Sequence, residues 1–261
     1  MRTLLIFFYK FKIFKRIIPS IIKKINFNNY VVINHNNFML KLNLNSPIDV
    51  QIYLTKKYEE ENIFFLKKLI KKNKINFFFD IGAHMGFYSM NMASHFPKIY
   101  IKSFEPIKSS FYQLKKNTEL NKYNHKIDIH KKALSNKTKK IKMWVPIKTK
   151  TGGFSIYNKK DNELQKYDKK KISYESAVSV KLDDISKIKN KKIAVKIDVE
   201  RHEKFVILGG KKFFTNNKIL LQVELFNERK NEVDLILKKM NFKFIKCNKK
   251  DNFYSNYKIK K

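Results

Sequence analysis

The chain has 261 residues, 43% of them hydrophobic, with 23 Phe and 13 Tyr, enough for one full α/β core plus an extension, which excludes a disordered polycation. A formal net charge of +36 points first to nucleic acid or an anionic membrane. Arg occurs only at positions 2, 16, 201 and 229, however, and its scarcity argues against nucleic acid, because Arg makes the planar bidentate contacts that phosphate and guanine recognition favours.

Lys, Asn, Ile and Phe share A/T-rich codons, so genome composition is an alternative to function as the source of the positive charge. The single cysteine, Cys247, excludes intrachain disulfides and thiolate metal clusters and makes a reducing, cytoplasmic setting the default. The six histidines show no zinc spacing. No metal is assigned: Asp183, Asp198 and Glu200 could converge on one, but nothing in their spacing requires it.

In chain order, residues 1–27 mix apolar and basic positions, and their apolar run Leu4 to Tyr9 is too short to span a bilayer. The segment reads either as a helix packed on the domain or as a peripheral membrane contact. With the alternating arm Phe38 to Leu44 it makes an N-terminal extension, residues 1–54. Residues 55–261 read as a Rossmann-like domain with an insertion at 137–180. A helix pattern passes through Tyr58, Phe64, Leu66, Leu69 and Ile70, with Glu59, Glu60 and Glu61 expected in solvent.

Phe77, Phe78 and Phe79 form a buried strand ending at Asp80. A turn with Gly82 and Gly86 and an apolar helix pattern follow, then a second strand, Ile99 to Phe104, ending at Glu105. This is a βαβ unit with a carboxylate at each strand tip, where ligands of open parallel sheets bind. The spacing Asp-x-Gly-x-x-x-Gly puts His84 where a diphosphate-binding turn has its middle glycine. The turn therefore suits a nucleoside without a diphosphate, with Glu105 accepting from ribose hydroxyls. S-adenosylmethionine is such a nucleoside, and its sulfonium suits the strand-tip acids Asp80, Glu105, Asp198 and Glu224.

Beyond Glu105 a helix pattern runs from Ser109 to Leu120, then a strand from Ile127 to His130, which makes Asp128 and Ala133 candidates for adenine contact. Residues 137–180 are irregular and read either as a lid hinged at Gly152, Gly153 and Ser155 or as a disordered lysine-rich insertion. Val178 to Leu182 and Ile193 to Val199 read as strands. The helix after Glu200 reads as capped by Gly209 and Gly210, and Ile219 to Leu225 reads as a strand. Val233 to Met240 is helical, and Phe242 to Ile245 pairs with Phe253 to Tyr257.

The stretches FFFDIGAHMGFYS, SFEP, Ala133-Leu134-Ser135, VKLDDI, VKIDVERHEKFVILGG and LQVEL resemble, in order and spacing, the FkbM family of class I S-adenosylmethionine-dependent methyltransferases. The likeness covers about residues 55 to 257. It implies a seven-stranded, mostly parallel sheet with an antiparallel last strand, S-adenosyl-L-methionine as donor, and O-methylation of a hydroxyl on a sugar, glycan or other small-molecule natural product. By the same resemblance Asp80, Gly82, Ala83 and Gly86 form the cofactor turn, Tyr88 and Ser89 begin its helix, and Glu105 with Pro106 holds the ribose.

Asp198, Glu200 and His202 would be catalytic. His202 or Asp198 is then the expected base, and Glu200 orients the acceptor. One departure stands out, Arg201 at a position that the family usually fills with glycine. The absence of an Asn-Pro-Pro-Tyr type of sequence after the fourth strand favours a hydroxyl over an amino acceptor. The competing reading is a basic RNA-binding or RNA-methylating protein, or a membrane-surface protein that keeps the fold without the chemistry.

Overall fold

A computed structural model describes residues 29–146, 155–156 and 172–260. The 1–27 segment and the Gly152–Gly153 hinge lie outside the described residues. Among those described, no helix is long and apolar enough to cross a membrane.

The chain opens with a hairpin, β1 (Tyr30–His35) and β2 (Phe38–Asn43), then helix α1 (Pro47–Thr55) and helix α2 (Glu60–Asn73). Ser46 caps α1 by accepting from the Asp49 amide, and Pro47 occupies the first turn, where its missing N–H has no cost. The hairpin is no free arm. Leu40 and Leu42 are fully buried in the same core cluster as Phe78 and Met90. The edge of β2 is covered by side-chain amides of α4 (Lys108–Leu120) and its C-cap: Asn117 accepts from Lys41 N at 2.7 Å and the C-cap residue Asn121 from Met39 N at 2.7 Å. Such cover protects a strand edge that would otherwise pair elsewhere.

The central sheet has seven strands in the order β12-β13-β11-β10-β3-β4-β5. These are β3 (Phe77–Ile81), β4 (Tyr100–Phe104), β5 (Ile127–His130), β10 (Lys192–Ile197), β11 (Lys218–Glu224), β12 (Lys243–Asn248) and β13 (Asp251–Ser255). β5, β4, β3, β10 and β11 are mutually parallel, and β13 inserts antiparallel beside β11. Phe78 belongs to the core on one face and Phe79 to the core on the other, as expected for a strand buried on both sides. α2 and α3 (Phe87–His95) cover the first face. α6 (Glu203–Gly209), α7 (Lys211–Thr215) and α8 (Asn227–Lys239) cover the second.

Two sequence expectations change. The described residues within 137–180 hold regular structure: β7 (Lys139–Pro146) and β9 (Ile172–Val180) pair antiparallel, with β6 (Ala133–Leu134) and β8 (Ser155–Ile156) completing a four-stranded sheet. The strand read at Val178–Leu182 therefore starts earlier and stops at Val180, and Leu182 begins the short helix α5 (Leu182–Ile185). α6 ends at Gly209 with Gly210 as its C-cap, as expected: the Gly210 amide donates to Ile207 O, at φ −115° and so without a left-handed turn. Gly209 also serves close packing, since a Cβ there would stand 2.0 Å from the Ser135 carbonyl oxygen.

Asp183 accepts from the amides of Lys212 (3.0 Å) and Phe213 (2.7 Å) and so caps α7. It is not in the crevice described below. Asp183→Ala is expected to lower stability by about 1 kcal/mol, as loss of a helix cap does. Urea unfolding should show that loss while the affinity for S-adenosylhomocysteine stays unchanged.

Candidate active site

The chain leaves β3 toward β4 and later returns to β10 on the other side, so the strand order reverses between β3 and β10. A crevice of about 430 Å³ opens there, outside the carboxyl ends of the strands, at the position and of the size expected for a small-molecule site. Its walls carry six acids, Glu59, Asp80, Glu105, Asp198, Glu200 and Glu224, against four cations, Lys132, Lys196, Arg201 and Lys250. A chain of +36 thus concentrates carboxylates in one hollow.

The glycine turn is built by contact between strand tips. The amides of Gly82 (2.9 Å) and Ala83 (3.0 Å) donate to the Phe104 carbonyl at the end of β4, and the Asp198 amide donates to Ile81 O at 3.0 Å. Gly82 has φ +82°, and a Cβ on it would meet the Asp198 carbonyl oxygen at 1.8 Å, so only glycine fits. Gly86, φ +87°, starts α3 just behind the wall. Glu105 bridges two loops: Oε2 accepts from the His84 amide and Oε1 from the Ile107 amide, both at 2.9 Å. Burial pushes its carboxyl up to about 7 against the pull of those two amides. Each oxygen keeps a lone pair for a further donor. Ala83, Pro106 and Ala133 also line the crevice.

A polar row crosses the sheet beneath this turn. Register places Ser103, Asp80, Lys196 and Gln222 side by side on β4, β3, β10 and β11. Asp80 Oδ2 accepts from the Ser89 amide (3.1 Å) and hydroxyl (2.6 Å), and that hydroxyl also meets Ser103 Oγ at 2.7 Å. Ser89 therefore stands behind Asp80, off the crevice wall, and acts on it by orienting that carboxylate. Lys196, 4% exposed, pairs with Asp198 at 2.9 Å and lies 4.6 Å above the Tyr88 ring. Burial opposes its charge, but Asp198, Glu59 and Asp80 together outweigh burial and hold the ammonium firmly protonated. The Tyr88 hydroxyl donates to Glu59 Oε2 at 2.5 Å and accepts from Gln222 Nε2 at 2.9 Å.

At the far end stand Asp198, Glu200, Arg201, His202, Glu224, Phe226 and Lys250. Burial would raise the Asp198 pKa, but the charge and hydrogen bond of Lys196 bring it below the usual carboxylate value. Glu200 goes the other way, raised to about 7 by burial and then by the charges of Asp198 and Glu203. Glu224 is raised to about 8 by burial, Asp198 and Glu200. Glu200 and Arg201 have φ +50° and +74°, which explains why glycine suits position 201. Arg201 accepts the left-handed backbone and lays its guanidinium 4.7 Å from the Phe226 ring centre, where Lys250 approaches to 4.0 Å. His202 Nε2 lies 2.9 Å from Ser135 Oγ, and its ring stacks on Phe205.

The structure thus brings Asp80, Gly82, Ala83, Tyr88, Glu105, Pro106, Ala133, Asp198, Glu200 and His202 to one crevice. Asp128 is not among its lining residues. The β4–β5 register sets Asp128 opposite Lys102, and its carboxylate binds Lys102 (3.3 Å) and His130 (3.0 Å). Sequence reasoning missed Tyr58, Glu59, Lys196, Phe226 and Lys250. The lysine inside KIDVE was the available signal for Lys196, whereas Glu59 looked like any solvated acid.

These residues fit S-adenosylmethionine. The 1%-exposed Asp80 has an Oδ1 with no hydrogen-bond partner, an acceptor suited to a cationic donor. Asp80, Glu105 and the glycine turn would hold the molecule, and the excess of acids matches its positive charge. Among the described residues no group of three or more His, Cys, Asp or Glu is arranged to hold a metal ion.

A family model described as the methyltransferase FkbM domain matches residues 80–244. No curated protein matches the chain significantly. Similar solved structures include M. jannaschii TYW2 in complex with AdoMet, 12% identical over 88% of this chain and 85% of that one, TM-score 0.43. A putative caffeoyl-CoA O-methyltransferase from Staphylococcus aureus is 12% identical over 95% and 99%, TM-score 0.47. The N-terminal domain of human METTL16 in complex with SAH is 15% identical over 76% and 69%, TM-score 0.41.

Proposed function

The chain belongs to the FkbM methyltransferase family, whose methyl donor is S-adenosylmethionine, and from that premise we propose that it methylates a hydroxyl oxygen of a sugar, glycan or other small natural product. When bound, the donor supplies an electrophilic methyl group on a sulfonium. Asp80, Gly82, Ala83 and Glu105 bind and orient it, and Tyr88 shapes the wall beside it. Fixing donor and acceptor in line is worth roughly 7 to 11 kcal/mol of a displacement barrier.

A neutral hydroxyl must also lose its proton, and the observation that carries the hydroxyl reading is Glu200. It lines the crevice beside Asp198 with its pKa lifted to about 7, close to the value that serves a general base at neutral pH. Of the three residues assigned to this end, Asp198 is committed to Lys196 at 2.9 Å and weakened as a base. His202 is engaged with Ser135. Glu200 takes the proton in this reading, Asp198 supplies fixed negative charge, and His202 shapes the wall.

Incubating the protein with isotope-labelled S-adenosylmethionine and cell extract tests the proposal. A labelled methyl ether on a small molecule or glycan is the expected product. Label in RNA, or on nitrogen, would replace the hydroxyl reading.

A further inference from the structure

We propose that Glu59 recognises the α-ammonium at the amino-acid end of the methyl donor, an inference that rests on the methyltransferase reading above. Glu59 precedes α2, where an acid would ordinarily turn back to cap its own helix. It makes no such cap bond. Its backbone takes φ +47°, a left-handed conformation unusual for a residue with a side chain. Its carboxylate is instead turned into the crevice and fixed there by the Tyr88 hydroxyl at 2.5 Å. Gln222 Nε2 holds that hydroxyl at 2.9 Å from β11, two strands to one side of β3. Glu105 lies at the tip of β4, on the other side of β3. A nucleoside whose ribose sits at Glu105 therefore sends its amino-acid tail across the glycine turn toward Glu59.

The charges at that end are unbalanced in the required sense. Lys196 feels the fields of Asp198, Glu59 and Asp80 but pairs closely with Asp198. Asp80 Oδ1 is buried without a partner. Three carboxylates share one lysine, and a second cation with several N–H donors would complete the set.

The test compares S-adenosylhomocysteine with its deaminated analogue, in which hydrogen replaces the ammonium, by calorimetric titration of the full chain. Wild type is expected to bind the analogue about tenfold or more weakly, the range of a lost charge-assisted hydrogen bond. Glu59→Gln keeps an oxygen for Tyr88, and it should weaken S-adenosylhomocysteine by a similar factor while leaving the analogue within about twofold. Should the Gln protein fail to fold, Glu59→Asp, which keeps the charge but withdraws it by one methylene, should weaken the same ligand selectively. Equal wild-type affinity for both nucleosides, or a substitution that weakens both alike or neither, would overturn the assignment. Binding of neither nucleoside by wild type would remove the methyltransferase reading itself, and the Glu59 assignment with it.

Discussion

Gly82→Ala is expected to destabilise the protein by about 3 kcal/mol or more and to abolish binding of S-adenosylhomocysteine, because two costs act at one atom. The backbone stands at φ +82°, so any side chain meets left-handed strain, and the new Cβ would lie 1.8 Å from the Asp198 carbonyl oxygen and 3.2 Å from Val199 Cγ1. Backbone cannot swing aside as a side chain does. Relief requires the tips of β3 and β10 to part, which breaks the Asp198 amide bond to Ile81 and moves the Asp198–Lys196 pair.

Gly86→Ala is the matched comparison. It has nearly the same φ, +87°, but its Cβ would meet Leu114 Cδ1 at 2.5 Å, the far end of a flexible side chain. That variant should lose only about 1 to 2 kcal/mol and still bind. Thermal melting and ligand titration of the two proteins decide the point. A Gly82→Ala protein that melts and binds like Gly86→Ala would show that contact between strand tips does not shape the crevice.

What the sequence disclosed follows from how local each signal is. The run from Phe77 to Gly86 and the two strand-tip acids are contiguous patterns, and they appear as β3, the glycine turn and the crevice wall. Lys196 acquires its meaning only through register, which sets it between Asp80 and Gln222. No spacing within one strand encodes that. Glu59 depends on Tyr88, 29 residues away, and on a left-handed backbone that an acid-rich YEEE stretch does not advertise. Asp128 falls outside the crevice lining for the same reason in reverse, since its neighbour Lys102 comes from another strand.

In the stretch KKIKMWVP lysines at 139, 140 and 142 fall on both sides of any alternation and Met143-Trp144-Val145 is an unbroken apolar run, so no clean strand period marks it. Its partner β9 is 26 to 40 residues away by register. Arg201 was visible as an anomaly. Only its φ of +74° explains why glycine would fit that position.

The largest catalytic loss should follow Glu200→Gln, which replaces the proposed base with an isosteric amide. Removal of a general base costs about 10² to 10⁴ in rate, and turnover should fall by that much while the affinity for S-adenosylhomocysteine changes little. The pH profile carries the sign. Glu200 acts only when deprotonated, and with its pKa raised to about 7 the wild-type rate should fall tenfold per unit below that value and level off above it. Lys250 lowers the Glu200 pKa by its charge, against the larger effect of burial. Lys250→Gln should therefore move the inflection to higher pH, a shift that a purely structural lysine would not produce. If His202→Gln reproduced the loss and Glu200→Gln turned over like wild type, the proton would pass to imidazole, and Ser135, 2.9 Å from Nε2, would become the group that orients it.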